Sequence, residues 1–202
     1  MDSEIEAARP WVDEAKPTFV TLIDRDHLLS SLYNMINVPQ AVWIDENGHI
    51  VRPTETGGSL DIVKQFDPEI GGFPEEAMAR AAKAKQIYMD AIRDWASNGS
   101  QSRHVFDAAD ARARLPELTP EMAEAHALFR LGGFLQRAGR GEEAQRCFAR
   151  CRELHSDSIN IFRQTTGKIE GGIAAGPEFW EKVSSLGDEP YYAPIDMEGL
   201  RD

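Results

Sequence analysis

Between Ile36 and Pro53 the chain carries two short β-rich runs joined at Asn47-Gly48 and entered through a Val38-Pro39 bond. Asn-Gly is among the strongest short hairpin signals, because both residues tolerate the positive φ that a type I′ turn demands. Residues 40–44 and 49–51 are therefore expected to pair as antiparallel strands. The stretch before them is read as leading into this hairpin.

Residues 4–14 place Ile5, Ala8, Trp11 and Val12 at the three- and four-residue spacing of an amphipathic helix, which Pro17 ends. Residues 18–23, Thr-Phe-Val-Thr-Leu-Ile, are β-branched and aromatic and predict a strand. Asp24-Arg25-Asp26 comes next as a turn in which Asp26 caps a helix running through Leu28, Leu29, Leu32, Tyr33 and Met35. Residues 53–58 and 67–74 are rich in Pro, Gly and acids around a weak helix at 60–65, and this texture marks a boundary near Gly71.

Taken together, Ala7-Ala8-Arg9-Pro10-Trp11, the run 18–24, Tyr33, and Val38-Pro39 before a strand ending in Ile44-Asp45 and a turn ending in Gly48 resemble the C-terminal half of a thioredoxin-like domain. The resemblance is to the TlpA/ResA or redoxin kind and covers about the first third of the chain. It implies an α/β fold over residues 1–70, partial because the segment carrying that family's Cys-x-x-Cys is missing. It also implies that Val38-Pro39 is cis and that Val38 and Pro39 line a substrate groove, in which the backbone of the residue before the proline pairs with an extended substrate. An ordinary trans bond is the base-rate alternative. On the same resemblance, residues 2–11 look like the segment after the family's second strand. The hairpin is then expected to lack central neighbours and to leave Val42 and Ile44 uncovered, unless a segment upstream of Met1, another chain, the helical part or the tail fills the gap.

From Pro74 onward the period turns helical. Residues 75–96 align Ala77, Ala81, Ala84, Tyr88, Ile92 and Trp95 on one stripe and stop at Asn98-Gly99. A shorter helix is expected over 107–115. Thr119-Pro120-Glu121 is a cap, a helix-start proline and a dipole-favoured acid, opening a helix that reaches Ala138. Gly139-Arg140-Gly141 turns the chain into a further helix, to about His155. In this pair Leu128, Leu131, Gly132, Leu135, Ala144 and Phe148 resemble one tetratricopeptide hairpin, at about 125–158, without a second copy at a fixed period. Residues 71–202 thus read as an all-α helical extension, making the chain mostly helical overall. Its tail is expected to be extended and to dock Phe179, Trp180, Tyr191 and Tyr192.

The net charge of −12 argues against nucleic acid or an anionic membrane surface as partner, since both need clustered Lys and Arg. No apolar run reaches the ~20 residues of a membrane span, and the acidic N-terminus is no signal peptide, so a cytoplasmic location is expected. Cys147 and Cys151 are the only thiols. Four apart on a helix, their β-carbons would lie roughly 5–6 Å apart, beyond the ~3.8 Å of a disulfide. His155 continues the stripe, but it lies about 12 Å from Cys147 along the axis, too far to share one zinc. Both cysteines are read as packing residues. Asp24, Asp26 and His27 are read as a capping turn rather than a metal or acid-base cluster, and Arg103-His104 as a solvated loop. Neither a phosphate loop nor a nucleophile elbow occurs, so no catalytic residue, metal or cofactor is expected. Two functions from different classes stand. One is membership of the thiol-disulfide oxidoreductase family without redox activity in this chain; the other is a non-catalytic protein that binds a partner, or itself, through the helical region.

Overall fold

A computed structural model describes residues 5–167 and 176–200. The first residue of the expected N-terminal helix and part of the expected tail, 168–175, lie outside them. The described residues are mostly helical. In chain order they form α1 (Ile5–Ala15), α2 (Leu28–Leu32), β1 (Gln40–Ile44), β2 (Ile50–Thr56), α3 (Glu75–Asn98), α4 (Ala108–Ala113), α5 (Pro120–Arg137), α6 (Gly141–Leu154), α7 (Ile159–Thr165) and α8 (Pro177–Ser185). They fall into two compact units: one joins the residues up to Ile36 with Leu118–Thr166, the other joins Asn37–Glu117 with the C-terminal residues. The texture change near Gly71 falls inside the second unit, between β2 and α3.

In the second unit the expected hairpin forms: β1 and β2 pair antiparallel as a two-stranded sheet. Its turn differs from the expected type I′. Only Gly48 has positive φ, at 81°. Asp45 instead organises the turn, its carboxylate accepting from the N–H groups of Asn47 (2.9 Å) and His49 (2.8 Å) while its carbonyl accepts from Gly48. A side-chain acceptor thus closes a turn in which Asn47 keeps an ordinary φ. Strand β2 also runs through Pro53 to Thr56, where a loop is expected. Proline is tolerated because both strands of a two-stranded sheet are edges.

The buried face of this hairpin packs on α3. Trp43 stacks on Trp95 with centroids 5.0 Å apart, meets Tyr88 edge-on, and shares a core with Ala91, Ile195 and Met197. The C-terminal segment therefore closes the core over α3. Gly58 permits the approach of the β2 exit to α3: its φ is +77°, and a Cβ there would stand 2.8 Å from the Cβ of Tyr88. The expected uncovered face is half met. Ile44 is exposed and Val42 half-buried, while Trp43 between them is 3% exposed.

In the first unit α5 and α6 form the expected hairpin. Thr119 Oγ1 accepts from Met122 N–H at 3.2 Å, with Pro120 in the first turn. Gly132 sets the helix separation, since a Cβ there would lie 2.5 Å from the Phe148 ring. Leu135, Ala144 and Phe148 form the core between the helices. Leu131, another large residue of the tetratricopeptide-like pattern, is exposed.

Three expectations are corrected. Residues 18–23 form no strand. The cap of α2 comes from Asp24, which accepts from Ser30 N–H at 2.9 Å, whereas Asp26 pairs with Arg137 of α5 at 3.0 Å. The expected extended tail contains α8, and α7 precedes it. Both start on helix signals: Ser158 Oγ accepts from Ile161 N–H, and Pro177 opens α8.

Candidate functional site

The Val38-Pro39 bond is cis. Asn37, 4% exposed, holds this loop: its amide donates to the Tyr191 carbonyl at 3.1 Å, and its Oδ1 accepts from Val38 N–H at 2.9 Å. The Val38 carbonyl accepts from the Tyr192 hydroxyl at 2.8 Å, and that of Pro39 from Gly57 N–H at 3.1 Å. The backbone groups that the resemblance would offer to an extended substrate are thus engaged by the chain's own side chains and C-terminal segment. The family's dithiol has no counterpart in this unit, because the chain's two cysteines, Cys147 and Cys151, both belong to α6 of the other.

A polar network that the sequence reading missed lies under the hairpin. Arg52 is 1% exposed. Its Nε and Nη2 donate to the two carboxylate oxygens of Glu55, each at 2.8 Å, and its remaining bonds go to the carbonyls of His104 (2.6 Å) and Asp196 (3.0 Å). The Arg52 guanidinium also lies 4.4 Å from the Phe106 ring centroid. Residues three apart in a strand point to opposite faces. Here Ala41 pairs with Glu55 and Trp43 with Arg52, so β2 carries one extra residue between them, and this bulge turns both side chains to one face. Tyr88 donates to Glu55 at 3.0 Å and accepts from Trp43 Nε1 at 2.8 Å. Burial first, then the Glu55 charge, pushes the Tyr88 phenol above its ordinary range. The phenol stays protonated and four of the five guanidinium N–H groups are bonded, so the network clamps the fold. Arg103-His104, expected as a free loop, is drawn into it through His104, with Ser102 donating to Asp94 at 2.6 Å.

In the first unit Cys151 is fully buried, and its thiol donates to the Ala125 carbonyl at 3.1 Å. Burial pushes the thiol up to about 12. A thiol so held supplies no thiolate nucleophile near neutral pH. Cys147 is half-buried, and both cysteines are free. His155, at the end of α6, is buried and meets His126 of α5 edge-on, with ring centroids 5.3 Å apart. Among the described residues, no group of three His, Cys, Asp or Glu side chains is placed to hold a metal. His27 packs edge-on against Phe129 and starts α2; Glu124 lies 3.8 Å from Arg150.

The most unusual surface of this unit is the segment predicted as a strand. Phe19, Val20 and Leu22 are 75%, 83% and 81% exposed, and α1, which leads into it, buries none of its residues. None of the backbone groups of 18–23 meets a hydrogen-bond partner among the described residues. Comparisons with protein-family models, curated proteins and solved structures return no match to this chain.

Proposed function

We propose that this chain is a thioredoxin-like, redoxin-related protein without thiol-disulfide chemistry of its own, which works by adding a strand of another polypeptide to residues 18–23. The observation that carries the reading is the exposure of Phe19, Val20 and Leu22 on a backbone with unpaired donors and acceptors among the described residues. Full burial of each such side chain is worth about 1.5–3 kcal/mol, and a partner strand would add ladder hydrogen bonds along the segment. The sequence favours the same geometry, five of its six residues being β-branched or aromatic, with neither Gly nor Pro. The redox-silent part of the reading is supported by the missing Cys-x-x-Cys and by the burial of Cys151. The kinship rests on the residue run around Val38-Pro39 and its hairpin.

A random peptide library selected on the immobilised chain tests the binding. Extended peptides with alternating apolar residues are expected, with capture lost in Val20→Pro, which removes one ladder donor, and in Phe19→Ser/Leu22→Ser. Peptides that bind these variants undiminished would sink the proposal. Reduction of insulin disulfides by dithiothreitol should run no faster with the chain than without it; a clear acceleration overturns the redox-silent part.

A further inference from the structure

The imidazoles of His155, which is buried, and His126, which is half-buried, are used neither by the proposed strand addition nor by any cap. His155 Nδ1 and Nε2 and His126 Nε2 are buried without a hydrogen-bond partner among the described residues. A neutral imidazole carries one donor and one acceptor, and no protein group among the described residues hydrogen-bonds to either on His155. Its backbone, by contrast, is committed. Its N–H donates to the Cys151 carbonyl at 3.0 Å, closing α6, and its carbonyl accepts from Ser158 N–H at 3.1 Å, where Ser158 caps α7. The ring, 0% exposed, is thus anchored at the junction of α6 and α7.

We propose that His126 and His155 are a proton-sensing pair whose protonation opens the packing of α5, α6 and α7. Two imidazolium ions with centroids 5.3 Å apart repel, and burial already disfavours charge on either ring. The surrounding groups decide the sign. Arg130 on α5 further disfavours a charged His126. Asp157, after α6, lies 3.5 Å from His155 Nε2 and favours the charge there, but its side chain is 64% exposed and screened. From α6 come the Cys151 thiol, which stays neutral, and Arg152, which is drawn to the Thr165 carbonyl and hydroxyl. From α7, Ile161 joins the Cys151 core. Burial, the largest cause for both histidines, holds them below the usual range, His126 at about 4. A group whose folded pKa is depressed in this way is neutral when folded and takes up its proton on opening. The stability it supports is complete above about pH 6.5 and is lost as the pH falls below that.

Hydrogen exchange of the full chain at pH 7.5 and 5.5, corrected for the intrinsic pH dependence of amide exchange, reads this out. Protection over α5–α7 should fall by up to roughly tenfold per histidine for each pH unit below 6.5, while α3 serves as the internal reference. His126→Phe/His155→Phe, which keeps two rings and removes both protons, should flatten that dependence. An unchanged dependence in the variant overturns the proposal. If the variant does not fold, NMR titration of the wild-type imidazoles decides: both neutral down to pH 5.5 supports it, and titration of both near pH 6.5 with native protection intact overturns it.

Discussion

Arg52, 1% exposed, makes four side-chain hydrogen bonds within the second unit. Its guanidinium bridges β2, the His104 loop and the C-terminal segment, and Glu55 is its carboxylate partner. Removing one partner of a buried pair strands the other charge, at about 3–5 kcal/mol, whereas replacing both by apolar groups is often neutral. Arg52→Met should therefore lower stability in urea by about that much, and Arg52→Met/Glu55→Leu should recover most of it. A double variant as weak as the single one would mean that the two carbonyl contacts dominate. For the thiols, iodoacetamide at pH 8 should label Cys147 and leave Cys151 untouched until the chain is unfolded, as mass spectrometry of the digested protein would read.

At the scale of elements, the α5–α6 hairpin depends on one missing side chain. Gly132→Ala puts a methyl 2.5 Å from the Phe148 ring, and overpacking of this kind costs about 1–3 kcal/mol, against ~1 kcal/mol gained from helix propensity. Net destabilisation is expected in thermal unfolding, relieved in part by Phe148→Leu. Thr119→Ala should cost about 1 kcal/mol through the lost cap on Met122 N–H. These elements were legible in the sequence because their determinants are local: a cap, a helix-start proline and a small residue facing a ring. The strand expected at 18–23 is the opposite case. Its propensity is real, but a strand exists only with a partner, and none is among the described residues.

For the molecule as a whole, the second unit is completed by its C-terminal segment. Tyr191, Ile195 and Met197 are buried, and the Asp196 carbonyl accepts from Arg52. A chain ending at Asp188 should lose the near-ultraviolet dichroism of the Trp43, Tyr88 and Trp95 core and unfold without a cooperative transition. Survival of that signal would make the segment an ornament rather than part of the core.

From the sequence alone came the mostly helical class, the hairpin around Asn47-Gly48, and the starts and stops of α3, α5 and α6. Each arises from chemistry within a few residues: periodicity, caps, and glycine at a turn. Tertiary structure decided what those elements meet. The β2 bulge that brings Arg52 and Glu55 to one face, the engagement of Val38 by Asn37 and Tyr192, and the burial of His155 against His126 join residues by folding rather than by pattern. Local spacing carries no record of such partners, because a buried charge or imidazole is defined by what surrounds it in space.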